Sequence, residues 1–349
     1  MYLLAIDWFF IIEKLLLIVC IVTLSMVVAM YSTYGERKVA GFFQDRLGPN
    51  RAGPFGLLQP LADAGKLFFK EEIIPLASSK FLFILGPALA MITALLTSAV
   101  IPWSTPLQIG DRVVPLQIAD INVGILFVFA AVSVGVYGIM IGGWASNNKF
   151  SLLAGIRGAS QMVSYELPMG LALLGVLLFV GDLKMSSIVQ SQIDNGWHVF
   201  YQPIGFIVFF VCALAECNRT PFDLPEAESE LNFGYHQEYS SMKLGFYLFA
   251  EYINMFISCV VMTCLFFGGY DIPFVNEAEW GLHPNLLALI GFAVIMGKSL
   301  FFVFVFMWIR WTVPRFRFDQ LMNLGWKKLI PLALVNMVIS AALILWLKK

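Results

Sequence analysis

The chain has 349 residues, 59% of them hydrophobic and 13% charged, with a formal net charge of −1. Soluble domains carry roughly twice that share of charge, so a water-soluble globule is excluded. Near-neutrality also gives nothing for nucleic acid to bind.

Apolar runs long enough to cross a hydrocarbon layer of about 30 Å recur along the whole chain. The opening MYLLAIDWFFIIEK has no basic region and no small-residue cleavage site, so it is not expected to be a removable signal. Eight spans are expected, at residues 15–34, 81–103, 123–144, 161–180, 199–217, 244–267, 286–308 and 329–347. They are continuously apolar, where barrel strands would alternate. The expected fold is therefore all-α: one polytopic integral membrane domain, residues 1–349, of eight transmembrane helices plus an interfacial amphipathic helix.

That last helix belongs to the first connection, residues 35–80. Glu36, Arg37 and Lys38 are expected to cap the first span where charge meets the interface. Gly48, Pro49, Gly53, Pro54 and Gly56 then make a turn-rich passage. From Leu57 a helical period sets Leu57, Leu61, Gly65 and Phe68 on one face, with Asp63, Lys66 and Lys70 on another. Asp63 is expected to meet those two lysines.

Lys and Arg set the orientation. Sixteen of them, including Arg157 and Arg219, fall on the side of the first connection, against Arg112, Lys184, Lys348 and Lys349 on the other. That places the first connection in the cytoplasm or its organellar equivalent, with both termini outside.

On the same side lies the acidic connection, residues 216–243. Glu216, Asp223, Glu226, Glu228, Glu230 and Glu238 face a single Arg219 within one stretch. Carboxylates so crowded repel, and some stay protonated near neutral pH unless cations from elsewhere meet them. Pro221, Phe222, Pro225 and Tyr235 punctuate the run, which a disordered acidic tail would lack.

The fifth span can cross only by taking in Glu216 at its inner end. Glu166 and Glu251 lie early in the fourth and sixth spans, each entering from the same side. Three helices thus bring one glutamate each to a similar depth, and Lys298 lies near mid-membrane in the seventh. Ionisable groups there are costly; a buried ion pair explains one of them, but three beside an acidic loop favour a proton route.

The five cysteines, without a CxxC pair, read as buried small residues rather than disulfides or metal ligands. The three histidines fall outside the apolar cores, so no haem or cluster ligands are expected and the chain carries no electrons itself. No nucleotide-binding or hydrolase motif is present. Gly138 and Gly142 are expected to pack helices, and Pro168 to bend the fourth span. Residues 104–118 alternate briefly, without nameable chemistry.

The stretches GERKVAGFFQDRLGPNRAGPFGLLQPLADAGKLFFKE, GGWASNNKFSLLAGIRGASQMVSYE, AECNRTPFDLPEAESEL and GYHQEYSSMKLGFYLFAEY closely resemble the H subunits of the proton-pumping NADH:quinone oxidoreductase, respiratory complex I. The resemblance covers nearly the whole chain. It implies a non-redox subunit with no catalytic residue of its own, in a bacterial inner membrane. Quinone, as ubiquinone or menaquinone, is the implied substrate; iron–sulfur clusters and flavin sit in partner subunits. By the same resemblance Glu36, Arg37, Arg46, Asp63, Phe222 and Glu226 shape a quinone chamber shared with peripheral subunits. Glu166, Glu216, Glu228, Glu230, Glu238, Glu251 and Lys298 are implied in coupling to protons, with Arg157 and Arg219 as basic support. Three other readings compete: a standalone ion or proton transporter, the related subunit of a membrane-bound hydrogenase, and a scaffold for the peripheral arm. The first would show paired broken helices in an internal repeat, which the sequence lacks.

Overall fold

The computed structural model describes residues 8–272 and 281–347, and is mostly helical. Residues 1–7 and the terminal Lys348 and Lys349, used above for the signal and the charge bias, lie outside the described residues. Among the described residues, seven helices are long and apolar enough to cross a membrane. The first, α1 (Trp8–Phe43), runs 36 residues, or about 54 Å, and so outreaches an apolar layer. Its helix passes straight through Glu36 to Lys38, which therefore do not end it.

A turn-rich passage leads into α2 (Gln59–Phe69), opened by Pro60 in its first turn, where a missing N–H costs nothing. Next comes α3 (Lys80–Leu96). The alternating stretch that follows forms a hairpin, β1 (Leu107–Ile109) and β2 (Arg112–Val114), with Gln108 paired to Val113. Gly110 turns it at φ 62°, a conformation open to glycine.

Helix α4 (Gly124–Ala145) packs on α3 through glycines. A methyl on Gly138 would meet the Ala90 amide nitrogen at 2.9 Å and the Gly86 carbonyl oxygen at 3.0 Å. The expected small-residue packing is thus present. Helix α5 (Lys149–Val180) starts a dozen residues before the expected span, because the Asn148 side chain accepts from the Phe150 amide and caps it. Pro168 sits inside it, and Gly181 closes it in the left-handed conformation.

Two short helices, α6 (Met185–Asn195) and α7 (His198–Tyr201), lead to α8 (Pro203–Glu216). At 14 residues α8 is the shorter apolar helix, about 21 Å long, and Glu216 is its last residue. Buried Gln202 at its start donates to the Ser340 hydroxyl and the Gly175 carbonyl, anchoring the short helix to its longer neighbours. The acidic connection is compact, with one helical turn, α9 (Glu228–Leu231).

Helix α10 (Ser241–Phe266) is the centre of the bundle: 72% of its apolar window is buried, against 11% for α1. Then α11 (Pro284–Thr312) follows, and α12 (Phe318–Asn323) continues through a π-helical turn at Leu324–Leu329 into α13 (Ile330–Leu347).

Candidate functional site

The site gathers where the acidic connection folds back onto α1, α5, α10 and α11. Its centre is Glu36, which is 5% exposed. Its Oε1 faces Arg310 Nη1 at 2.5 Å and its Oε2 faces Arg219 Nη1 at 3.3 Å. The Tyr252 hydroxyl donates to the same Oε2 at 2.7 Å, and the Arg219 guanidinium stacks over the Tyr252 ring at 4.0 Å. A carboxylate so far from water keeps its charge only if cations and donors surround it, and here they come from separate elements of the chain.

The loop around it is folded, as its aromatics require. Buried Gln161 on α5 donates to the carbonyls of Ala215 and Phe222, both at 2.7 Å, and so pins the chain leaving α8. Phe222 is buried against Tyr165 and Phe316. Asp223 pairs with Arg315. Burial, then the nearby charge of Glu226, pushes its carboxyl up to about 6 despite that arginine. His236 is driven the other way, down to about 4, because burial disfavours the imidazolium.

The expected carboxylates divide into two sets. Glu228 and Glu230 are exposed, and Glu230 meets Arg157 at 2.6 Å; half-buried Glu238 accepts from Asn148. Glu216 and Glu251 are buried, and the Tyr235 hydroxyl donates to Glu251 Oε1 at 2.9 Å. Between them lies a cavity of about 30 Å³, also lined by Asn218, Asn254 and Ser258. That is room for a water molecule with several polar partners. A second cavity of similar size also touches Glu216, extends to Phe129 and shares Val132 on α4 with the first. One residue further on, Ser133 donates its hydroxyl to Glu166.

Arg37 and Asp63 form an exposed pair at 2.6 Å, so Asp63 turns to α1 rather than to Lys66 and Lys70. Gln59 donates to its other oxygen at 3.0 Å. Arg37, Arg46, Arg51 and Gln59 edge an open polar groove. Helices α1, α2, α3 and α10 line an open apolar cavity of about 520 Å³, with Met26, Met30, Phe68, Met91 and Phe246 among its walls.

Lys298 stands apart. Its ammonium donates to the carbonyls of Phe267 at 2.6 Å, Gly269 at 3.1 Å and Asp271 at 2.5 Å, and lies 4.5 Å from the Trp197 ring centre. Phe267 follows the far end of α10, about 24 Å along the helix from Glu251.

Sequence reading missed Arg310, Arg315, Tyr252, Gln161 and Ser133 as members of the site. The two arginines were visible only as topology markers. A buried acidic cluster demands counter-charge, which is the signal that points to them.

Fold and site together define a polytopic helical membrane protein built around buried, titratable carboxylates. A sequence model described as NADH dehydrogenase matches residues 15–341. The first NADH-quinone oxidoreductase H subunit of Cytophaga hutchinsonii is 59% identical over 336 residues, covering 96% of this chain and 98% of that one. The corresponding H subunit of Flavobacterium johnsoniae is 56% identical, with 96% of each covered, and NADH-quinone oxidoreductase subunit 8 of Rhodothermus marinus is 48% identical, with 92% and 94% covered. The chain belongs to this family, that of the H subunits of NADH-quinone oxidoreductase.

Proposed function

We propose that this chain walls the quinone chamber of the oxidoreductase and couples quinone reduction to proton movement, contributing no redox centre. The flavin and iron–sulfur clusters that deliver electrons belong to partner subunits, and the substrate is ubiquinone or menaquinone. The chain crosses a bacterial inner membrane eight times, counting α8 with its polar ends, and both termini face outward. Helix α2 lies in the interface with its apolar side inward.

Quinone reduction consumes two protons with two electrons, so the chamber needs groups that give and recover protons. Glu36, Arg37, Arg46, Asp63, Phe222 and Glu226 shape the chamber and its mouth. The apolar cavity lined by α1, α2, α3 and α10 holds the isoprenoid tail, each buried CH₂ contributing about 0.8 kcal/mol. Glu251, Glu216 and Glu166 pass protons inward through the bundle. Glu228, Glu230 and Glu238 gate the loop, with Arg157 as counter-charge to Glu230 and Arg219 to Glu36, and Lys298 holds the far end of α10. The observation that carries this reading is the water-sized cavity lined by both Glu251 and Glu216 and by α4, with a second one at Glu216 that extends to Phe129.

Glu216→Gln in the assembled complex is the test. The complex should form and pass electrons from NADH to a soluble acceptor, while quinone-driven proton uptake by vesicles is lost. Loss of assembly would favour the scaffold, and unchanged pumping would remove Glu216 from the route.

A further inference from the structure

One cluster lies at the seam of loop and helix and has the chemistry of a metal site. One donor atom each from Glu226, His236 and Glu251 lie within 4.8 Å of one another. His236 Nδ1 is 3.5 Å from Glu226 Oε1, close to the edge of about 3.4 Å of a tetrahedron with bonds near 2.1 Å. With every donor pair inside 4.8 Å, closing the third corner takes a shift of at most about 1.4 Å in the Glu251 carboxylate, within the reach of a side-chain torsion.

The imidazole itself points to a ligand. His236 is 1% exposed, and its Nε2 has no hydrogen-bond partner among the described residues. Its Nδ1 is aimed at Glu226 from beyond hydrogen-bonding range. A buried imidazole whose Nδ1 faces a carboxylate without a good hydrogen bond, and whose Nε2 has no partner among the described residues, is an unfinished arrangement. The nearby Arg219 and Arg310 face Glu36, and neither guanidinium donates to Nε2 of the imidazole. Side-chain exposure of 20% at Glu226 leaves a way in from the loop face.

We propose that Glu226, His236 and Glu251 bind a divalent cation of the zinc class. One nitrogen with two carboxylates suits zinc, whereas magnesium and calcium take oxygen ligands throughout. Two carboxylates and a neutral imidazole balance a dication, and a proton resident on the carboxylate pair leaves to solvent as the metal enters. The bound ion ties the acidic loop to α10. On the functional reading above it also occupies the carboxylate at one end of the cavity leading to Glu216. No motif scan finds the site, because its ligands come from two loop positions and a helix in an order no metal motif shares.

The test uses the assembled complex, stripped by chelator and dialysed to equilibrium against micromolar radioactive zinc in excess magnesium. Wild type should retain one zinc equivalent that His236→Gln and Glu226→Gln each lose, or bind about tenfold or more weakly. The zinc-edge X-ray absorption of the wild type should show one imidazole in a nitrogen and oxygen shell, a measurement that stands even if a variant fails to assemble. Equal zinc retention by wild type and variants, or a shell without imidazole, overturns the site. Zinc retention is read without quinone turnover, so this proposal and the quinone reading fail separately.

Discussion

Replacing Lys298 with Met keeps an unbranched side chain one atom shorter and removes its three donors. In the structure those donors satisfy the carbonyls of Phe267, Gly269 and Asp271, where the chain leaves α10 as irregular backbone beside a spanning helix. Irregular backbone within a membrane bundle is tolerated only when its polar groups find partners. Each lost charge-assisted bond costs about 1.5–3 kcal/mol, and partial rehydration recovers some of it, so the net loss is roughly 3–5 kcal/mol. Met partitions better into hydrocarbon than Lys, but it does so in the loosened helix as well, and the gain largely cancels. The amides of Gly269 and Asp271 are bonded to Thr263 and Gly268, so they report on the helix end directly. Their hydrogen exchange in the assembled complex should accelerate by about a hundredfold to several thousandfold, with a lower unfolding temperature. A Lys298→Met complex with unchanged exchange and stability but lost proton pumping would refute the anchor and make Lys298 a proton carrier.

Three further outcomes are expected. Glu36→Leu strands Arg219 and Arg310 without their carboxylate, at a cost of about 3–5 kcal/mol, and should abolish assembly; Glu36→Gln, which keeps the Tyr252 contact, should be milder on native gels. Asp223 is held near 6 by burial and Glu226, so in the folded protein it takes up a proton as pH falls through 6, before the unfolded chain does. Its contribution therefore weakens the fold as pH rises from about 4 to about 6, by at most about 3 kcal/mol. A protonated-carboxyl infrared band titrating in that window, and missing from Asp223→Asn, would show it. Gly138→Ala drives a methyl into the backbone of α3, which cannot step aside as a side chain could. Thermal unfolding should register a loss of about 1–3 kcal/mol.

The helical class and the two polar connections were legible in the sequence, because a hydrocarbon layer permits few solutions and each leaves a length and a composition; of the eight expected spans, seven are long enough among the described residues and α8 falls short. Identification was legible too, since the longest motifs lie in those connections. The partners of the charges were not. Glu36 and Arg219 are 183 positions apart, and Glu36 and Arg310 further still, yet they share one buried cluster. Asp63 looked like a partner for lysines on its own helix and instead joins Arg37. Local periodicity says which face a residue occupies, whereas pairing depends on which helices become neighbours. That choice is made by packing, at contacts such as the glycine seam between α3 and α4. Only the folded bundle decides that Glu251 and Glu216 share a cavity while Lys298 closes a helix end about 24 Å away.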